Sequence, residues 1–288
     1  NALPTVTSFN LMPVPMFLLM GEIFFHTGLA NKMFSAVDRL MGRIPGRLSF
    51  VTVAGGTAFA TLSGSSLGAT ALLGSLMVPE MQKRGYKKHM AIGPILGTGG
   101  LAMLIPPSAL AVLLATLANL DVGKLLIAGV VPGLMLAGFY VILILGMCLW
   151  DPEAAPSYEV DKSTLVEKLK LLFFDVLPMM SIVVGVILLI LNGWATPSES
   201  AAFGCLGVLA LAVLYGKLTW EGFKNSVHGA LKVTTMALLI IFGSATFSQL
   251  LAFSGASSGL IKWATQFDLA PMVMLLIMFG LVLIVGMC

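Results

Sequence analysis

The sequence predicts an all-α polytopic membrane protein, and three observations carry that prediction. Of its 288 residues 58% are hydrophobic and only 10% are charged, and the mean hydropathy is +1.00. A soluble domain of this size needs more charge than that to cover its surface. Apolar runs of about 20 residues, the length of a spanning helix, recur along the whole chain. The basic residues then sort to one side of the path that those runs trace. A net charge of +3 in a chain made for a lipid bilayer gives no reason to expect a nucleic-acid partner.

Cys148, Cys205 and Cys288 are scattered through apolar runs without CxxC spacing, so neither a disulfide framework nor a metal cluster is indicated. No signal peptide is visible. The chain starts at Asn1 and stops inside the apolar run Met272–Cys288, which reads as a fragment lacking both ends.

Taken in order, Leu11–Ala30 is the first crossing. Asn31–Ile44 follows as an amphipathic helix along the interface. It sets Met33, Phe34, Val37, Leu40 and Met41 against Lys32, Asp38, Arg39 and Arg43. Leu48–Met81 is apolar but interrupted at Ser63–Gly68. Each half has roughly 15 residues, about 22 Å of helix, too short to cross. Arg43 and Arg47 stand before it and Lys83, Arg84, Lys87 and Lys88 after it, so both ends face the cytoplasm. The segment is therefore a re-entrant hairpin with its tip near mid-membrane.

Met90–Ala118 is long enough to cross but holds Gly97–Gly100 and then Pro106-Pro107. Proline removes a helix hydrogen bond and clashes with the preceding turn, so this span is broken. Leu125–Trp150 crosses back, and Asp151–Leu171 is a polar loop leading into an amphipathic helix. Phe173–Trp194, Ser200–Tyr215 and Val227–Phe253 are further crossings. Ser257–Phe267 is a short amphipathic piece, and Ala270–Cys288 begins another apolar segment.

With the first crossing running inwards, fourteen of the sixteen Lys and Arg residues fall inside; only Lys124 and Lys262 fall outside. Trp150, Trp194, Trp220 and Trp263 all sit at segment ends, as an aromatic belt requires. Gly21 and Gly64 stand 43 residues apart, as do Gly243 and Gly286, with an offset of 222. Crossing, amphipathic piece and hairpin recur in the same order, and the odd number of crossings between the copies inverts them. The organisation expected is a first repeat over 1–150, with hairpin 48–82 and broken helix 90–118. A connecting arm helix with two spans over 151–226 and the start of a second repeat over 227–288 complete it. Inverted repeats with broken helices are the architecture of secondary transporters.

Irregular backbone at membrane depth survives only inside protein or beside a water-filled cavity, so the two breaks mark a site. The first offers the hydroxyls of Ser63, Ser65 and Ser66 and the carbonyls freed around Gly64. The next span adds Thr98 and carbonyls expected to be free around Gly97–Gly100, Gly97 and Gly99 among them. A set of neutral oxygens with no carboxylate suits Na⁺. The alternative is that small residues simply allow close helix packing. Pro106-Pro107-Ser108 opens a second half-helix, whose free N–H groups attract a carboxylate; the alternative there is a plain kink. Ser65 and Ser66 lie where they could serve this substrate as well. Glu22 and His26, four apart on one helix face, form either a functional pair or a hydrogen bond between helices. Thr196 and Glu199 fit a capping box. Gly64-Ser65-Ser66-Leu67-Gly68 also matches the nucleophile elbow of a serine hydrolase, but that turn needs a strand before it and none is predicted. A purely structural membrane subunit would have no use for two costly breaks.

Six stretches resemble a known family. They are Phe17–Glu22, Ser63–Ser66, Pro79–Tyr86, Leu104–Ser108, Gly123–Gly133 and Ala195–Ala202, in ungapped order across most of the chain. They resemble the large membrane subunit, of DctM type, of tripartite ATP-independent periplasmic (TRAP) transporters. The resemblance implies an elevator-type, Na⁺-coupled importer in a prokaryotic inner membrane. It also implies two partners, a small four-helix membrane subunit and a periplasmic substrate-binding protein. The substrate class is organic acids: C4-dicarboxylates, sugar acids or keto acids. By the same resemblance Ser63, Gly64, Ser65, Ser66, Gly97, Thr98 and Gly99 form a Na⁺ site, with Pro106, Pro107 and Ser108 near the substrate. No further cofactor and no enzymatic activity are expected. The runner-up is a related Na⁺/organic-anion symporter that works without a binding protein.

Overall fold

A computed structural model of the chain describes residues 11–42, 44–156, 164–266 and 271–287, and among these every regular element is helical. The described residues form two compact units, one running to Ala237 and the other starting at Leu238. The larger opens with α1 (Pro13–His26), Pro13 taking a first-turn position where its missing N–H costs nothing. At Gly28, whose φ of 71° a side chain would resist, the path turns by 69° into α2 (Leu29–Leu40). The turn falls two residues before the end of the predicted crossing. α2 buries Leu29, Ala30, Met33 and Phe34 and leaves Asn31, Ser35 and Arg39 exposed, the amphipathic pattern that its sequence demanded. Arg43 lies outside the described residues.

The hairpin comprises α3 (Arg47–Ser63) and α4 (Ser66–Lys83). At 17 and 18 residues the arms are longer than the 15 read from the sequence, about 25 and 27 Å. Their bases meet. The Leu48 N–H donates to the Tyr86 hydroxyl (3.3 Å), and Gly46 and Lys87 donate their N–H groups to the neighbouring carbonyls of Ala155 (3.3 Å) and Ala154 (2.9 Å). Buried Arg47 pairs with Asp38 at 3.0 Å. Lys87 bonds Asp151, which holds that carboxyl below its usual range. α3 is buried along nearly its whole length, packed against α1, α2, α4, α5 and α7. It is the core of this unit.

α5 (Lys88–Leu104) and α6 (Ala109–Leu117) are separated by a 48° bend. α5 runs unbroken through Gly97–Gly100, so the carbonyls expected to be free there belong to the helix ladder. The expectation rested on glycine as a helix breaker, yet one glycine costs a helix only about 1 kcal/mol. Tyr140 packs against Gly97 and Thr70 against Gly99. α5 also contains Pro94, which leaves the Met90 carbonyl without its ladder donor. The Ser49 hydroxyl on α3 fills the gap at 2.8 Å. α7 (Val122–Trp150) starts at Asp121, whose side chain accepts from the Lys124 N–H at 2.8 Å.

A short 3₁₀ turn, Pro152–Ala154, follows. α8 (Leu165–Leu171) continues through a π turn, Leu172–Val176, into α9 (Leu177–Leu191). The amphipathic piece and the crossing, read as separate, are thus one helix, because neither Gly nor Pro intervenes before Pro178. That proline deprives the Phe174 carbonyl of its donor, and the Tyr215 hydroxyl donates there instead. Lys32 of α2 pairs with Asp175 in the same turn (2.9 Å) and lies 3.7 Å from the centre of the Tyr215 ring. α10 (Pro197–Leu214) begins with the Thr196/Glu199 capping box and packs along α1, where Gly204 faces Met20. α11 (Trp220–Phe253) starts seven residues earlier than Val227.

In the smaller unit, α11 ends and Gly255 (φ 73°) turns the chain into α12 (Ala256–Thr265). α13 (Pro271–Met287) is apolar throughout. Phe267, the expected end of the amphipathic piece, lies outside the described residues.

Among the described residues four helices are long and apolar enough to cross a membrane: Val122–Trp150, Val166–Leu191, Pro197–Leu214 and Trp220–Phe253. Counting each bent pair as one span gives up to six. On α7, Val131, Leu134, Phe139 and Ile142 are each more than half exposed. A contiguous apolar face of that kind is unsustainable in water and ordinary in lipid. The protein is an all-α polytopic membrane protein.

Candidate functional site at the hairpin tip

α3 ends at Gly64, whose φ of 56° lets the chain leave the helix in the left-handed region. Ser65 then caps α4, its hydroxyl accepting from the Gly68 N–H at 3.2 Å. The Ser63 hydroxyl accepts from the Ser65 N–H (3.1 Å) and donates to the Ser65 carbonyl (3.0 Å), bracing the tip across two residues. The second break is built on the same plan. Ser108 caps α6 by accepting from the Ala111 N–H (3.2 Å), and its hydroxyl donates back to the Met103 carbonyl at the end of α5 (2.9 Å). The Pro106-Pro107 bond between them is cis.

The fold brings the two breaks together. A Cβ on Gly64 would lie 3.3 Å from the Pro107 carbonyl oxygen and 3.5 Å from the Ala109 nitrogen. Four helix ends therefore converge: the carbonyl ends of α3 and α5, and the amide ends of α4 and α6. α1 closes one side. Gly21 is so near that a Cβ would stand 2.3 Å from the Ser63 Cα, and Phe17 lies against Gly64. α7 closes another, with Gly129 on the Leu104 carbonyl and Gly133 on Ile105. Ser63, Pro106, Pro107 and Ser108 are buried, while Ser65 and Ser66 are half-buried.

Three consecutive residues of α5 go separate ways because successive helix positions turn by about 100°. Gly99 faces the tip: a Cβ there would lie 2.1 Å from the Thr70 hydroxyl and 3.5 Å from the Ser66 carbonyl. Thr98, wholly buried, sets its methyl against Gly56 and donates its hydroxyl to the Pro94 carbonyl. Gly97 faces the Tyr140 ring on α7. Of the residues read from the sequence as cation ligands, Ser63–Ser66 and Gly99 lie together at the tip, while Gly97 and the Thr98 side chain face Tyr140 and Gly56. Thr70 was missed; its only signal was a hydroxyl one turn into α4, on the face of Ser66. Among the described residues no three His, Cys, Asp or Glu gather into a metal cluster. What the tip offers a cation is neutral oxygen.

Glu22 lies next to Gly21 but turns away from the tip. Its carboxylate stands 3.3 Å from His26 Nδ1 and rests on Gly229 of α11, while Ser226 donates to the Glu22 carbonyl at 3.1 Å. This is a hydrogen-bonded seam between α1 and α11, the structural one of its two readings. The hydrolase alternative needs a strand ahead of its serine, and α3 stands there instead.

Broken helices that meet within a bundle of spanning helices are an arrangement that secondary transporters use. The chain matches the family described as "Tripartite ATP-independent periplasmic transporter, DctM component" over residues 2–288, and it belongs to that family. It is 31% identical to the C4-dicarboxylate TRAP transporter large permease protein DctM of Rhodobacter capsulatus, the match covering 98% of this chain and 66% of that protein. The protein of the same description from Pseudomonas aeruginosa is 29% identical (98% and 65%). The sialic acid TRAP transporter large permease protein SiaM of Vibrio cholerae is 27% identical (98% and 65%). The chain thus spans just under two thirds of the length of these relatives. As a member of a family of transporter components it is a multi-pass protein of the inner membrane, not an enzyme.

Proposed function

We propose that the protein acts as the large permease subunit of a TRAP importer, using an inward Na⁺ gradient to carry a small organic acid across the membrane. The observation that supports this is the convergence of four helix ends at Gly64 and Pro107. The last carbonyls of α3, with the hydroxyls of Ser63, Ser65, Ser66 and Thr70, are a donor set suited to Na⁺. The first amides of α4 and α6 carry partial positive charge and suit a carboxylate. Both charges are then drawn to one tip, and each strengthens the hold on the other. The relatives' names, C4-dicarboxylate and sialic acid, are both those of carboxylates.

In this reading 1–150 is the first of two inverted repeats, 151–226 a connector and 227–288 the opening of the second copy, whose hairpin supplies the rest of the site. The hairpin-bearing body moves as an elevator. A small four-helix membrane subunit supports it, and a periplasmic binding protein delivers the substrate. The test uses the full-length permease with both partners in proteoliposomes. Uptake is expected only with an inward Na⁺ gradient. Ser66→Ala removes one ligand, so it should raise the half-saturating Na⁺ concentration about fivefold, the equivalent of ~1 kcal/mol. Full uptake on a proton gradient without Na⁺ would sink the coupling, and uptake without the binding protein would sink the delivery.

A further inference from the structure

Away from the tip, α5 and α7 leave a groove between them at the Lys88 end of α5, with a cavity of about 480 Å³. Gly93 forms its floor, where a Cβ would meet nothing within 4 Å. Leu96 and Met147 wall it, and the Tyr140 ring, packed on Gly97, closes its inner end. Lys88 and His89 line the groove at the end where α5 begins, and both are exposed. The remaining lining is almost wholly apolar. A second groove, about 530 Å³, is lined by residues that include Phe50, Val53, Gly138 and Leu145, with no charged side chain among them.

We propose that the first groove holds one acyl chain of an anionic phospholipid, its phosphate bound by Lys88 and His89. Two independent features place positive charge at the same spot. One is the Lys88 ammonium, beside which His89 can donate a hydrogen bond; the other is the amide end of α5, which starts at Lys88. The neighbouring Lys87 is engaged with Asp151, so the selection for phosphate falls on Lys88. The basic loop lies on the cytoplasmic side by charge distribution, the side on which basic pockets between spanning helices meet anionic headgroups. Below the mouth, an apolar groove left empty in a bilayer would forfeit contacts that a lipid chain restores. A helix 10–12 Å across is too wide to fill so small a cavity. The proposal rests on the membrane setting and not on the substrate, so loss of the transport reading leaves it standing.

The experiment uses the full-length permease, released from nanodiscs holding phosphatidylglycerol and phosphatidylcholine in equal amounts, with retained lipid read by native mass spectrometry. One phosphatidylglycerol is expected to persist in preference to phosphatidylcholine. Lys88→Gln with His89→Gln should lower that preference about fivefold, by the worth of one surface lysine. Gly93→Phe fills the floor and should abolish retention of either lipid, whereas Gly138→Phe, which fills the uncharged groove, should leave it unchanged. Equal retention of the two lipids, or a preference untouched by the double variant, overturns the proposal. So does a photo-crosslinker at Leu96 that captures a peptide of this protein or of a partner subunit rather than a phospholipid.

Discussion

Gly21 shows how much one missing side chain can decide. Any Cβ there would meet the Ser63 main chain at 2.3 Å, and main chain cannot step aside as a side chain can. Gly21→Ala should therefore push the hairpin tip off α1, at an overpacking cost of about 1–3 kcal/mol. In the full-length protein this should appear as lower stability in detergent and weaker uptake together. Gly74→Ala on α4 is the contrast. Nothing lies within 4 Å of its Cβ, and alanine suits a helix better by up to about 1 kcal/mol, so stability should hold or rise. Equal loss in both variants would show that the cost does not come from the contact between Gly21 and Ser63. The same distinction separates Gly99, which meets Thr70 at the tip, from Gly100, which meets nothing within 4 Å.

At two helix prolines another helix lends a hydroxyl to the carbonyl left bare. Pro94 frees the Met90 carbonyl and Ser49 donates to it; Pro178 frees the Phe174 carbonyl and Tyr215 donates to it. Ser49 is fully buried, so Ser49→Ala should cost about 1–3 kcal/mol by stranding a polar group in an apolar core. Pro94→Ala restores an N–H at that position, and in its background the loss of Ser49 should cost far less. Equilibrium unfolding of the four proteins in the double-mutant cycle measures the coupling. An unchanged cost in both backgrounds would show that Ser49 merely fills space. By contrast, Pro106-Pro107 does break its helix, because two consecutive prolines remove two donors and Ser108 caps a new start.

At the scale of the molecule, the hairpin arms begin and end at one place, where Gly46 and Lys87 reach adjacent carbonyls of Ala154 and Ala155. Both ends must then face the same side of the membrane. Ile44→Cys and Lys88→Cys, both at exposed positions, should react with an impermeant thiol reagent only from the cytoplasmic side in full-length protein lacking its native cysteines. Labelling of one from outside would make 47–83 a crossing element and remove the basis for an inverted repeat. The node of Lys32, Asp175 and Tyr215 joins α2 to the π turn and the end of α10, so the turn at Gly28 is anchored far along the chain from where it is made.

The sequence by itself determined the membrane class, the positions of the two breaks and the amphipathic character of α2. Composition, proline, glycine and charge act locally and leave their mark within one or two helical turns. Tertiary structure alone decided which of Gly97, Thr98 and Gly99 faces the tip. It also decided that Gly97–Gly100 stays helical and that α8 and α9 fuse. Those outcomes depend on what lies across the helix: the Tyr140 ring, the Thr70 hydroxyl, or a donor for a carbonyl left bare by proline. The sequence spacing of Gly64 and Pro107 could not show that they touch. A break at membrane depth has to be covered by protein, and only the packed fold reveals that each break here covers the other.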